Sequence, residues 1–168
     1  MVSVSGYGII SGFTNDGNKI PQQTIPQYYD KLGFSYNKFA DSITVSETEW
    51  DFERYKPDII VINLGTNDMN YATTDERKAE FEDGYLDFLK KVRSLNPDSY
   101  IFQTYGVMGT SLEENIENVR RKYMSETGDE RIAFIPLTMQ DEAADGIVAD
   151  WHPSPRTHSL VSQKVTAA

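Results

Sequence analysis

The sequence predicts an α/β domain built on a parallel sheet, and three features carry that expectation. Short apolar runs alternate with amphipathic stretches along the chain. One run, residues 58–64 (Asp-Ile-Ile-Val-Ile-Asn-Leu), is almost continuously β-branched and suits a parallel strand covered on both faces. Between the runs, apolar residues recur at helical spacing, most clearly at Phe81, Tyr85, Phe88, Leu89, Val92 and Leu95.

Taken in order, residues 2–5 (Val-Ser-Val-Ser) alternate like a short strand. Asn15-Asp16-Gly17-Asn18 reads as a turn, and Pro21 and Pro26 break any long helix before residue 30. Residues 25–32 suit a helical turn whose apolar side is Tyr28, Tyr29 and Leu32. Pro57 precedes the strand at 58–64, and Gly65-Thr66-Asn67-Asp68 follows its carboxyl end. Thr73-Thr74-Asp75-Glu76 reads as a capping box centred on Thr73 and Glu76, opening a helix that Asn96-Pro97 stops. A second strand is expected at 100–105 and a third at 131–137. Between them, a helix over 111–124 carries Leu112, Ile116, Val119 and Tyr123 on one face and ends before Gly128. The tail at 154–165 suits a last short helix carrying Leu160 and Val161. No repeat or linker divides the chain, so residues 1–168 read as one domain.

Composition narrows the function. With 16 Lys+Arg against 26 Asp+Glu, the net charge is −10, which argues against nucleic acid as a partner because phosphates would be repelled. Neutral substrates such as sugars are compatible with it. No apolar run approaches the ~20 residues of a membrane helix, so no membrane partner is expected, and residues 1–6 lack the pattern of a secretion signal. The absence of cysteine removes disulfide and thiolate chemistry.

Two segments carry residues suited to catalysis. Ligands of an open parallel sheet bind beyond the carboxyl ends of its strands, where Asn67 and Asp68 sit. A neutral amide such as Asn67 can stabilise a developing oxyanion, although both residues also suit a helix cap or a turn. His152, in Ala149-Asp150-Trp151-His152-Pro153-Ser154, has the chemistry of a general base, with Asp150 near enough in sequence to orient it. His158 reads as a surface or structural residue. Two histidines without a carboxylate cluster at ligand spacing predict no metal site.

The block at 61–68, Val-Ile-Asn-Leu-Gly-Thr-Asn-Asp, resembles the third sequence block of the SGNH (GDSL-type) esterases, and Asp150-Trp151-His152-Pro153 resembles their last. Trp50-Asp51-Phe52, Lys56-Pro57-Asp58 and the Asp-Trp-His-Pro form together point to the second carbohydrate esterase family, which removes acetyl groups from plant polysaccharides. The resemblance implies a three-layer α/β/α sandwich, a serine esterase without cofactor, and an O-acetylated sugar or polysaccharide as substrate. By the same resemblance, Asn67 is an oxyanion-hole donor and His152 the base for a serine. Ser5-Gly6-Tyr7-Gly8 corresponds to the second block, whose glycine, Gly6 in preference to Gly8, donates its backbone N–H to the same oxyanion. Trp151 and Tyr105 are candidates for stacking on a sugar ring.

Two departures from the family pattern stand out. Its usual acid, three residues before the histidine, is Ala149 here, so either Asp150 or a backbone carbonyl orients His152. The first block, Gly-Asp-Ser followed by a helix, belongs ahead of the strand at 2–5, and the chain does not contain it there. Asp41-Ser42-Ile43-Thr44 matches its lettering, but the 67 − 42 = 25 residues to Asn67 leave too little chain for the intervening elements. Ser3 and Ser5 are alternatives if the opening strand is the nucleophile strand. Otherwise the central strand is missing, which leaves an apolar gap and unpaired edges, each lost backbone pairing costing about 1 kcal/mol. An upstream fragment, a symmetry-related strand of a homo-oligomer or a swapped element is expected to fill it. The alternative function is a carbohydrate-binding or interaction domain that keeps the cleft without catalysis. A glycosidase is a weaker reading, because no carboxylate pair is singled out by spacing.

Overall fold

The computed structural model describes residues 6–34, 38–39 and 43–168. The strand expected at 2–5, with Ser3 and Ser5, and the Ser42 segment lie outside the described residues. Strands β1 (Lys38–Phe39) and β2 (Ile43–Thr44) pair antiparallel in a hairpin that the sequence pattern had not revealed. Strands β3 (Ile59–Asn63), β4 (Tyr100–Tyr105) and β5 (Ile132–Pro136) form the expected parallel sheet, in the order β3-β4-β5. Val61 lies beside Phe102, and Phe102 beside Ala133, so all three carboxyl ends face one way.

Helices α1 (Asp75–Leu95) and α2 (Glu113–Thr127) cover one face of this sheet. Phe81, Tyr85, Leu89 and Val92 of α1 and Ile116 and Val119 of α2 are buried against Ile62, Ile101 and Ile132. The start of α1 differs by one residue from the sequence reading: Thr74, not Thr73, is the cap, and its hydroxyl accepts from the Arg77 N–H. Gly128 ends α2 in the left-handed conformation, at φ 69°, as a C-terminal glycine does. The helical turn in the first fifty residues shrinks to a 3-10 turn at Ile25–Gln27.

A short helix, α3 (Glu142–Asp145), and then α4 (Pro155–Thr166) follow the sheet. Val161 and Val165 of α4 pack on Val107, Ile135 and Leu137 at the second face, which completes the third layer beside β5. Leu160, on the same helix, is half exposed.

The β3 side of that second face is open. Ile59 is 60% and Val61 50% exposed, with Tyr100 and Phe102 stacked beside them at 4.8 Å between ring centroids. Full burial of β3 was the sequence expectation, and the structure corrects it: among the described residues β3 pairs with β4 alone. Its other edge carries no strand partner among the described residues.

At the opposite, amino end of the sheet, Arg93 ties the elements together. Its guanidinium bonds Asp129 at 2.7 Å and donates to the carbonyls of Asn96, Ser99 and Arg131, while the Tyr123 hydroxyl donates to Asp129 at 2.9 Å. Both charged side chains are about 15% exposed. Burial alone would raise the Asp129 carboxyl, but the Arg131 N–H, the Tyr123 hydroxyl and Arg93 together hold it low. Arg93→Ala is expected to destabilise the fold by about 3 kcal/mol, because it strands a largely buried carboxylate. The midpoint of urea unfolding checks this.

Candidate active site

The loop after β3 is fixed from within. Gly65 adopts φ 120°, where a Cβ would lie 3.2 Å from the Tyr105 ring, so the chain passes directly over the core aromatic. Asp68 donates its N–H to the Gly65 carbonyl, and its own carbonyl accepts from Tyr71 and Ala72. The result is a tight turn that carries Asn67 at its outer end.

Asp68 is fully buried, and its carboxylate gathers the loop at residues 6–11. Oδ1 accepts from the N–H groups of Ile10 at 2.8 Å and Ser11 at 3.0 Å, and Oδ2 from Ile9 at 2.8 Å. Gly8 is required for this approach, because a Cβ there would collide with the Ser11 carbonyl and with Asp68 Oδ2. Burial pushes the Asp68 carboxyl up to about 6, while the loop N–H groups pull the other way.

Asn67 meets the same loop. Its Nδ2 donates to the Tyr7 carbonyl at 2.8 Å, one residue beyond Gly6, so the two expected oxyanion donors belong to one hydrogen-bonded unit. Gly6 itself adopts φ 78°, and its carbonyl accepts from the Phe13 N–H at 2.8 Å. The Tyr7 ring packs against Tyr28 and Phe34, which joins the loop to the segment leading into the hairpin.

His152 is held by a different device. Val148 N–H donates to the His152 carbonyl, Ile147 bridges Pro153, and Asp150 and Trp151 both take left-handed conformations, at φ 54° and 57°. This compact bend puts His152 Nδ1 3.1 Å from the Ala149 carbonyl. A carbonyl only accepts, so Nδ1 carries the proton and Nε2 is left with a free lone pair. Among the described residues, Asp150 makes no hydrogen bond to the imidazole. The carbonyl of Ala149, not the Asp150 carboxylate, orients the ring.

The strand-end loops connect these two sites along one rim. Gly109, after β4, lies against Met69, two residues past Asn67. Gln140, after β5, donates its N–H to the Val107 carbonyl, and its side-chain amide donates to the Trp151 carbonyl at 2.8 Å. Trp151 is 66% exposed on that rim, beside His152, which is also exposed. Tyr105 is a correction to the sequence reading: it is fully buried beneath Gly65, so no sugar can reach its ring. Ser154, the serine nearest His152 in sequence, is committed to capping α4 and to the Asp145 carbonyl.

Sequence reasoning missed Asp68, Gly8 and Gln140 as organisers of the site. Asp68 was visible in the Gly-Thr-Asn-Asp block, but its partners are about 58 positions away and are not legible as a local pattern. Among the described residues no group of three or more His, Asp or Glu is placed to hold a metal ion.

Comparison with known proteins aligns residues 5–160 with the GDSL-like lipase/acylhydrolase family model. The cellulase/esterase CelE of Acetivibrio thermocellus is 34% identical over 140 residues, which are 78% of this chain and 16% of that protein. The acetylxylan esterase/glucomannan deacetylase of Cellvibrio japonicus is 24% identical over 99% of this chain and 42% of its own length. The chain therefore spans less than half the length of these curated relatives. Among solved structures, the acetyl xylan esterase Est2A of Butyrivibrio proteoclasticus superposes with a TM-score of 0.83 at 24% identity, over 96% of this chain and 48% of that one. A family two carbohydrate esterase from Clostridium thermocellum, in complex with cellohexaose, gives 0.75 at 29% identity, over 97% and 46%.

Proposed function

The chain belongs to the GDSL-like lipase/acylhydrolase family, and from that premise we propose that it acts as a serine esterase removing acetyl groups from carbohydrate. A serine hydroxyl attacks the acetyl carbonyl carbon while His152 Nε2 takes its proton. The Asn67 amide and the Gly6 N–H hold the oxyanion of the tetrahedral adduct. Collapse breaks the ester C–O bond, and the imidazolium returns the proton to the departing sugar hydroxyl. Water, deprotonated by His152, then releases acetate from the acyl-serine. Trp151 offers its exposed face to the sugar ring at the rim.

The observation that carries this reading is the His152 Nδ1–Ala149 carbonyl bond, which gives the imidazole the tautomer a general base needs without any carboxylate. The esterase character of the relatives supports it, and the cellohexaose complex of the Clostridium thermocellum enzyme supports a polysaccharide substrate.

The nucleophile is the remaining part. The edge of β3 that has no partner among the described residues, with the exposed Ile59 and Val61, suits a further strand, and a strand ending in Gly-Asp-Ser there would bring a serine to the rim. Acetate release from acetylated xylan is the test, measured on this chain alone and after addition of a polypeptide carrying that strand and its following helix. Activity is expected on addition. Sugar binding with no acetate release under either condition would overturn the esterase and leave a carbohydrate-binding domain.

A further inference from the structure

We propose that Gln140 is a positioning residue: the bond from its side-chain amide to the Trp151 carbonyl holds the bend that keeps the His152 imidazole in the tautomer of a base. The consequence for turnover rests on the esterase reading, but the hold on the ring does not. The bend is costly backbone. Asp150 and Trp151 are consecutive left-handed residues, at φ 54° and 57°, and a bulky aromatic such as tryptophan rarely adopts that conformation. Such backbone persists where its surroundings over-determine it. Side-chain burial does not do so here, because Asp150, Trp151 and His152 are all exposed. The Val148–His152 and His152–Ala149 backbone bonds and the Ile147–Pro153 bridge all lie within the loop. Among the described residues, the hydrogen bond that reaches residues 147–153 from outside the loop is that of Gln140, at 2.8 Å.

Gln140 is anchored at its own backbone. Its N–H donates to the carbonyl of Val107 at 2.9 Å, and Val107 is a buried residue packed with Ile135 and Leu137 at the end of the sheet. A carbonyl only accepts, so the end of the Gln140 amide that faces Trp151 is the nitrogen. The oxygen points elsewhere, buried and without a hydrogen-bond partner among the described residues. An unmatched buried acceptor is a cost that an apolar side chain of the same length would not carry. What the glutamine provides in return is the bond made by its nitrogen. Without that bond the left-handed pair relaxes, and the Ala149 carbonyl leaves its place 3.1 Å from His152 Nδ1. An imidazole free of such a partner carries its proton mainly on Nε2, the atom whose lone pair the proposed reaction uses.

The test reads the ring-nitrogen resonances of the two histidines at about pH 8.5, well above the ordinary imidazole value. In the unsubstituted chain, His152 is expected to show its proton on Nδ1, and the exposed His158 of α4 the pattern of a free imidazole. In Gln140→Met, which keeps the length of the side chain and removes the amide, the His152 pattern should move to that of His158 while the urea midpoint stays in place. Arg156→Ala breaks the ion pair to Asp145 at the foot of the same loop and should leave the His152 pattern as it was. A His152 proton that stays on Nδ1 in Gln140→Met, or an equal shift in Arg156→Ala, overturns the role of Gln140 and leaves the esterase reading standing. The unsubstituted protein gives a second measurement that needs no variant: the Gln140 side-chain amide should exchange about tenfold more slowly than that of the exposed Gln163. Equal rates overturn the hold. In a preparation that releases acetate, Gln140→Met is expected to lose about tenfold in kcat. A shifted tautomer with kcat unchanged would overturn His152 as the base, and with it the esterase mechanism, while the hold of Gln140 on the ring would stand.

Discussion

Replacing His152 with alanine is expected to lower kcat for acetate release by about 10⁴-fold, toward the upper limit of what a general base supplies. The substitution removes the group that accepts the serine proton and later returns it to the sugar oxygen, so both halves of the reaction lose their proton carrier. The side chain is exposed, and its ring contact is one bond to the Ala149 carbonyl, so the fold should survive its removal. Stability measured alongside activity separates the two effects: the urea midpoint should move little while turnover disappears. Asp150→Asn is the instructive companion. Asp150 makes no hydrogen bond to the imidazole, so this variant should retain most of the activity, in contrast to an enzyme that depends on a buried carboxylate partner.

Asn67→Ala is expected to cost about 10²–10³-fold in kcat, equivalent to about 2.7–4 kcal/mol of lost oxyanion stabilisation. KM should change little, because the donor acts on charge that develops only as the serine adds. Some of the loss has a second origin. The Asn67 amide also holds the Tyr7 carbonyl at 2.8 Å, so its removal loosens the loop that carries Gly6. Amide exchange at Phe13, whose N–H bonds the Gly6 carbonyl, reports the loosened loop apart from turnover.

Much of the architecture was readable in the sequence because it rests on local periodicity. The β-branched run at 58–64 became β3, and the helical spacing of Phe81, Tyr85, Phe88, Leu89 and Val92 became the buried face of α1. What escaped was set by contacts distant in sequence. The burial of β3 was overestimated because strand composition reports a preference for cover, not its presence. Here Ile59 and Val61 are exposed, with no element covering them among the described residues. Tyr105 looked like a platform for sugar because an aromatic at a strand end suits either role; the close passage of Gly65 over its ring decides for the core. The bend that orients His152 depends on left-handed backbone at Asp150, a residue type that tolerates it, and at Trp151, a type in which composition gives no such signal. Asn67 and His152 could be selected from their lettering, but the choice of the Ala149 carbonyl over Asp150, and the hold of Asp68 on the 6–11 loop, appear only in three dimensions.

The central claim is that Asn67 and His152 serve the same acetyl carbon from two loops of one rim. A double-mutant cycle on kcat for acetate release, comparing Asn67→Ala, His152→Ala and both together, tests it most directly. The oxyanion donor keeps part of its worth when the base is lost, so the double variant should be slower than His152→Ala, but by clearly less than the full Asn67→Ala factor. Two losses that multiply in full would show the residues working independently and would contradict the account.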